Sequence, residues 1–384
     1  MEIKNLKKAA NRIQKAIKNK EKIILYGDAD LDGVTATILL KEAIKNLAGS
    51  ITAIYFPDRE KDGYGITKEG LYFLKEMAPA LLVTIDLGVT NFEEISLAKK
   101  FGFEVVIIDH HEIINKLPEA NIIVDPKQKG DKSSLQYLAT VGIVYKLSEI
   151  LFENEMSPEL KQNFLELVAL GTIADMMPRE GDNEIMIAEG LRSIENSWRP
   201  GIRVFFRERA FENSNLFQKV SKFISLLNVR DVENQLPASY RLLTASSFEE
   251  AKNILDVLIE KSFERKRKIE EIREEIETRI SEKEEPLIFE GDSSWELVLL
   301  GSVASTISQK YQKPAFLYKI GEKESQGTAR TAKGFDLVKA MKNCAIFLES
   351  FGGHASAAGF RIKNENLDKF KECLTQFFNK KHPY

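Results

Sequence analysis

The first 125 residues alternate short β-branched runs with helical stretches, and no other feature of the 384-residue chain constrains its fold as strongly. KIILYG (22–27) reads as a strand, and a helix follows from Val34 to Leu47. ITAIYF (51–56) is a second strand, then comes a polar loop, PDREKDGYG, and a helix to about Met77. ALLVTID (80–86) leads through a helix near Phe92–Phe101 to EVVIID (104–109) and NIIVD (121–125). Strands spaced by roughly ten to fifteen helical residues predict an α/β fold with a doubly wound parallel sheet. In such sheets a ligand sits beyond the carboxyl ends of the strands.

That is where acids gather. Asp28-Ala29-Asp30-Leu31-Asp32-Gly33 follows the first strand, Asp86-Leu87-Gly88 follows LLVTI, and Asp109-His110-His111-Glu112 follows EVVII. A fourth segment, Gly171-Thr172-Ile173-Ala174-Asp175, follows the apolar run LELVAL. Carboxylates crowded along one edge repel each other unless cations neutralise them. Acids with imidazole suit Mn²⁺, with Mg²⁺ or Zn²⁺ as alternatives. Asp-x-Asp-x-Asp-Gly also opens a calcium-binding EF-hand loop, but that loop requires Glu at its twelfth position. Here the twelfth residue is Leu39, and a strand precedes the motif, so that reading fails. A lone Asp after a strand is usually a helix N-cap; four such segments together resist that explanation.

Histidine usage narrows the field. The chain has four, of which His110 and His111 are adjacent and His354 sits in Phe351-Gly352-Gly353-His354-Ala355-Ser356-Ala357-Ala358-Gly359. Only His382 lies outside a suggestive motif. Gly352 and Gly353 let backbone approach a ligand closely, and His354 can donate to a phosphate oxygen. A tight turn before the strand GFRI is the plainer alternative.

Residues 135–260 read as mostly helical. A charged stretch from Phe248 to Glu285 carries an apolar stripe of Leu255, Leu258, Ile259, Ile269, Ile272, Ile276 and Ile280, with Glu264/Lys268 and Glu275/Arg279 at i,i+4. It reads as a long connecting helix closed by Pro286. PLIF, WELVLL and AFLYKI then resume strand character. The expected organisation is therefore 1–247, a connector at 248–285, and a smaller α/β domain at 286–384.

Composition bounds the function. With 43% apolar and 29% charged residues the chain is globular. No apolar run approaches the ~20 residues of a membrane span. Leu6, Ala10, Ile13 and Ile17 fall at helical spacing, so the basic N-terminus reads as a packed helix rather than a leader. Two cysteines, Cys344 and Cys373, are too few for a disulfide framework or a four-thiolate zinc site. A cytoplasmic protein with no membrane partner is expected. The net charge of −3 argues against non-specific coating of duplex DNA. Residues 286–384 hold 14 Lys/Arg and 10 Asp/Glu, so a mildly basic region follows an acidic one.

Taken in order, YGDADLDGVTAT, LLVTIDLGVTN, VVIIDHHE and LVALGTIADMMP resemble the DHH phosphoesterase superfamily, and FGGHASAAGF resembles its companion DHHA1 domain. DGYGIT, LPEANIIVDPK and GTART make the chain most similar to the RecJ-type single-strand exonucleases. The resemblance runs from Lys22 to Ile362. It implies a two-metal phosphodiesterase, with Mn²⁺ the first candidate cation and Mg²⁺ the second. Asp30 would ligate one ion and Asp32 the other, Asp86 would bridge them, and His110 and Asp175 would complete the set, with Asp28 a ligand or a supporting partner. His111 would stand beside the scissile phosphate. Arg330, Gly352, Gly353 and His354 would hold substrate phosphates, with Asn228 and Arg230 as a further contact. The implied partners are single-stranded nucleic acid and replication or repair proteins.

Three departures qualify the resemblance. Tyr26 stands where many superfamily members carry His, WELVLLGSVAS lacks a His usual in the family, and LLNVRDVENQ departs from the family's Asn-x-x-Gly-Arg form. The sequence ends soon after the Gly-Gly-His motif, so the stacking platform of an OB-fold is expected to be absent. Two alternatives stay open: a phosphodiesterase of oligoribonucleotides, cyclic dinucleotides or phosphoadenosine phosphate, and a non-catalytic Cdc45-like replication scaffold.

Overall fold

A computed structural model describes residues 2–59, 63–113, 116–153, 155–208, 214–280, 285–332 and 334–381. His382 and the residues just before Glu285 lie outside that set. The chain divides into two compact units, Met1–Ile259 and Glu260–Tyr384.

In the first unit β1 (Ile23–Gly27), β2 (Ala53–Tyr55), β3 (Ala80–Ile85), β4 (Phe103–Ile108) and β5 (Ile122–Val124) form a wholly parallel sheet in the order β2-β1-β3-β4-β5. The strands are mostly apolar because both faces are covered. On β1, Ile23 and Leu25 pack into one core while Ile24 and Tyr26 pack into the other. The larger core takes α1 (Leu6–Lys18), α2 (Leu31–Asn46), α5 (Thr140–Leu151) and α6 (Pro158–Ala174); the smaller takes α3 (Lys68–Leu74) and α4 (Phe92–Lys100). The expected N-terminal helix is α1, buried through Leu6, Ala9, Ala10, Ile13 and Ala16. Strand order reverses between β1 and β3, so their carboxyl ends open the crevice in which such folds bind ligands.

The helical stretch continues with α7 (Asp182–Leu191), α8 (Pro200–Phe206) and α9 (Leu216–Leu227), a two-residue hairpin of β6 (Val232–Glu233) and β7 (Leu236–Pro237), and α10 (Ala238–Leu243). The charged stretch is one helix, α11 (Phe248–Ile280), and the division between units falls inside it. Its stripe is shared. Leu255 and Leu258 join the first unit's core, whereas Ile272 and Ile276 join a core of the second. Arg279 pairs with Glu275 as expected, but Lys268 also reaches Glu296.

The second unit is a five-stranded sheet in the order β11-β12-β10-β9-β8, from β8 (Ile288–Asp292), β9 (Ala315–Ile320), β10 (Glu324–Arg330), β11 (Leu348–His354) and β12 (Ala357–Lys363). Only β8 and β9 run parallel; the remaining pairs are antiparallel. WELVLL, expected as a strand, instead opens a helix, α12 (Leu297–Tyr311). Leu299, Leu300, Val303, Ala304 and Ile307 recur at helical spacing and are buried beside Trp295, which a period of two would not achieve. Packed against the sheet are also α13 (Leu337–Asn343) and α14 (Leu367–Lys381). The two cysteines form a disulfide, Cys344–Cys373, which joins the end of α13 to α14.

Candidate metal centre

The turn after β1 supplies three acids at once. It doubles back so tightly that a Cβ on Gly33 would lie 2.5 Å from the Asp28 carbonyl oxygen. Asp30 caps α2, accepting from the Gly33 amide at 3.0 Å. Asp32, in the first turn of the helix, is 2% exposed and accepts from the Thr140 and Val141 amides at 2.7 and 2.9 Å. Those amides form the positive end of α5, which favours an anion there. Asp86 follows β3 in the left-handed region, φ 65°, which Asp and Asn tolerate better than other side-chain-bearing residues. Its Oδ1 accepts from the Thr140 hydroxyl at 2.8 Å, so one threonine braces two acids from different strand ends.

Both histidines follow β4 and are set by Asp109. Its Oδ1 accepts from the His110 and His111 amides and faces His111 Nδ1 at 2.7 Å, while Oδ2 accepts from the Val89 amide. Asp175 arrives differently, as the residue that ends α6. The carboxylates therefore do not all line a sheet edge; one comes from a helix terminus.

These groups converge. His110 Nε2 lies 3.4 Å from Asp175 Oδ2, 3.5 Å from Asp86 Oδ1 and 3.9 Å from Asp32 Oδ2. Asp32, His110 and Asp175 offer ligand atoms within 4.8 Å of one another, as do Asp28, Asp30 and Asp86, and as do Asp86, His110 and His111. Asp86 and His110 each belong to two of the sets, so the three sets are linked through shared residues.

The electrostatics match that geometry. Burial, then the neighbouring acids, push Asp32 and Asp86 well above the ordinary carboxylate range. Asp175 rises to about 6, chiefly through burial and then Asp30. Burial and the His111 cation lower His110 to about 4, leaving a neutral imidazole with Nε2 turned to the acids. His111 is raised to about 9, mainly by its bond to Asp109, and is a cation at neutral pH. Buried carboxylates held at such mutual cost, beside a neutral imidazole, suit divalent cations. The donor set fits oxygen-preferring ions such as Mn²⁺ and Mg²⁺. Asp175 Oδ2, a buried atom, takes no hydrogen bond from any described residue.

The remaining predicted residues lie elsewhere. Arg330 and His354 belong to the second unit, where both align with Ala357 of β12 from its two sides. Arg330 is half-buried, bonds Thr328 Oγ1 at 2.7 Å, and has no acidic partner among the described residues. Gly352, Gly353 and His354 lie exposed on the edge strand β11. Gly353 has φ 135°, and a Cβ there would meet the Ala357 carbonyl oxygen at 2.4 Å. The Gly-Gly-His motif thus ends a strand and enters the turn before β12, so the plainer turn reading holds for its backbone. Asn228 ends α9 and is exposed, outside the acid cluster; Arg230 pairs with Asp58.

Sequence reasoning missed Arg59, beside Asp58. Its guanidinium bonds Asp28 Oδ1 at 2.9 Å, Asp28 Oδ2 at 2.7 Å and Asp30 Oδ2 at 2.8 Å. Burial raises Asp28 even so, while Asp30, for all its burial, is held below the usual range, chiefly by Arg59 and the Gly33 amide. The available signal was position: this loop follows a strand of a parallel sheet. The bracing roles of Asp109 and Thr140 were also missed.

Residues 22–172 match the DHH family, N-terminal domain, and residues 284–380 match the DHHA1 domain. The single-stranded-DNA-specific exonuclease RecJ of Bacillus subtilis is 32% identical over 98% of this chain and 48% of that protein. The protein of the same name from Haemophilus influenzae is 30% identical over 97% of this chain and 68% of its own length. The fold matches a crystal structure of exonuclease RecJ bound to manganese, with a TM-score of 0.82 and 25% identity, covering 100% of this chain and 96% of that one. Fold and domain matches thus define a two-domain protein of the DHH and DHHA1 class. Within it, the chain belongs to the RecJ family. It spans about half the length of the Bacillus subtilis relative.

Proposed function

We propose that the chain is a hydrolase that degrades single-stranded nucleic acid from an end, cleaving phosphodiester bonds with two divalent cations, Mn²⁺ first and Mg²⁺ second. The observation that carries this reading is the convergence of Asp28, Asp30, Asp32, Asp86, His110 and Asp175 in ligand sets linked through Asp86 and His110, each common to two of them. The names of its curated relatives, and the manganese of a matching RecJ structure, support the substrate class and the metal.

Bound cations would supply a nucleophilic water at neutral pH and positive charge for the phosphoryl oxygens. Asp30 and Asp28 would hold one ion, Asp32, His110 and Asp175 the other, and Asp86 both. The chain's own contribution begins with His111, half-exposed and held cationic by Asp109, which stabilises charge developing on the scissile phosphate. Thr140 and the α5 amides fix Asp32 and Asp86, so little reorganisation accompanies reaction. In the second unit Arg330, without a carboxylate partner among the described residues, and His354, at the open sheet edge, suit phosphates of the strand. Asn228 and Arg230 are a weaker contact. No helix of the described residues is long and apolar enough to cross a membrane. A cytoplasmic site of action alongside replication or repair proteins is part of the proposal.

The test is digestion of end-labelled single-stranded DNA and RNA with Mn²⁺, compared with a dinucleotide. Stepwise shortening of the long strand supports the proposal. Cleavage of the dinucleotide alone favours the small-substrate alternative, and no cleavage of either favours the scaffold.

A further inference from the structure

The two ligand sets differ in what already holds their oxygens. Asp32 accepts backbone amides, and Asp175 Oδ2 takes no hydrogen bond from a described residue. No lysine or arginine pairs with either acid among the described residues. Asp28 and Asp30 are instead clamped by one guanidinium. Arg59 Nη2 reaches Oδ2 of both acids, at 2.7 and 2.8 Å, and Nε reaches Asp28 Oδ1 at 2.9 Å. The other oxygens of the pair are also engaged: the Ala29 amide donates to Asp28 Oδ1 and the Gly33 amide to Asp30 Oδ1. Arg59 is itself held from behind, its guanidinium 5.1 Å from the centroid of the Tyr64 ring.

A divalent cation on Asp28, Asp30 and Asp86 would share the Asp28 and Asp30 carboxylates with Arg59, which contacts both Asp28 oxygens and one of Asp30, and would meet its positive charge at close range. A bidentate guanidinium–carboxylate contact is among the strongest polar contacts a surface loop can offer. We propose that Arg59 competes with the cation for the Asp28–Asp30 pair, so the centre loads in order: first the ion of Asp32, His110 and Asp175, and second, more weakly, the ion of Asp28, Asp30 and Asp86. Arg59 is in this sense a positioning residue. It holds the acid pair in place, and it sets the affinity of one half of the centre without ligating metal. This rests on the two-cation reading given above.

The test counts Mn²⁺ by the electron paramagnetic resonance of the free ion, in the absence of nucleic acid, so turnover is not the readout. Wild type should bind one ion tightly and a second weakly. Arg59→Gln should tighten the weak site by about tenfold or more, the factor expected when a charge-assisted contact is lost, and leave the tight site unchanged. Arg59→Lys, which keeps the charge but loses the fork, should fall between them and guards against a folding defect in the glutamine variant. In Arg59→Gln combined with Asp175→Asn, the tightened site should persist and the other weaken. Superimposable wild-type and Arg59→Gln isotherms, or equal tightening of both sites, overturn the competition. A wild-type protein that binds no Mn²⁺ overturns the metal centre itself, a different and recognisable result.

Discussion

The two units carry chemistry in opposite ways. In the first, a parallel sheet gathers strand ends into one crevice, and Asp32, Asp86 and His110 are each at most 4% exposed and braced by backbone amides, a threonine hydroxyl or Asp109. In the second, a mixed sheet leaves His354 exposed on its edge strand and Arg330 at the end of its middle strand, anchored by a single hydroxyl and a neighbouring carbonyl. Rigid, desolvated groups at fixed spacing suit bond cleavage, where misplacement is costly. Loosely anchored groups, one of them exposed on the edge strand, suit holding a backbone that must slide and be released. The difference teaches that convergence of residues is a stronger sign of catalysis than their identity, since each unit has a conspicuous histidine and only one surrounds it with acids.

The largest effect should come from the first unit. Asp86→Asn keeps a residue that tolerates the left-handed backbone but removes the charge shared by two ligand sets. Hydrolysis of labelled single strands with Mn²⁺ should fall by at least about 10²–10³, with circular dichroism unchanged; full activity with excess Mn²⁺ would contradict the centre. The next breaks the second unit alone. Cys373→Ser, or reduction, should cost about 3 kcal/mol, because a loop of 29 residues is released, and should leave Mn²⁺ binding as it was. Calorimetry checks this, and a loss of metal binding would mean that the units are less independent than described. A smaller change is expected from Arg330→Ala, which should raise KM by about tenfold with little change in kcat. A kcat loss like that of Asp86→Asn would erase the contrast between cleaving and holding.

The smallest test concerns a buried acid outside the ligand sets. Burial raises Glu166, which accepts from Ser197 Oγ, to about 7 from an ordinary 4.5. The folded state then binds more protons than the unfolded one between those values. Stability therefore falls as pH rises through that window, and the penalty is complete above it. Glu166→Gln should be more stable than wild type at pH 8, by about 1–3 kcal/mol, with the advantage fading toward pH 4.5. Thermal melts at the two pH values read the sign directly.

How much of this was legible follows from how each residue is placed. Asp28, Asp30, Asp32, Asp86, His110 and His111 follow strands that the alternation of apolar runs and helices already marks, and a parallel sheet brings strand ends together whatever the loops do. Asp175 ends a helix, where nothing local distinguishes it from a capping residue, and only the ordered motifs pointed to it. Arg59 was legible only by its position after a strand of the parallel sheet, because an arginine in a polar loop has the same local signature whether it meets solvent or two carboxylates. WELVLL misled because a short apolar run fits strand and helix alike until the buried positions beyond it are counted. The cysteines, 29 residues apart, could be paired only once α13 and α14 lay side by side.

The shared stripe of α11 has a practical corollary for anyone cutting the chain in two. Severing it after Ile259 would leave the N-terminal piece with its Leu255 and Leu258 ridge in place and the C-terminal piece with Ile272 and Ile276. A cut at Phe248 or after Ile280 would instead strip one piece of its lid of leucine or isoleucine and leave it sticky. Fragment design should therefore treat this helix as two half-helices with different owners, and a protease site placed near Glu260 is where scission would harm the halves least.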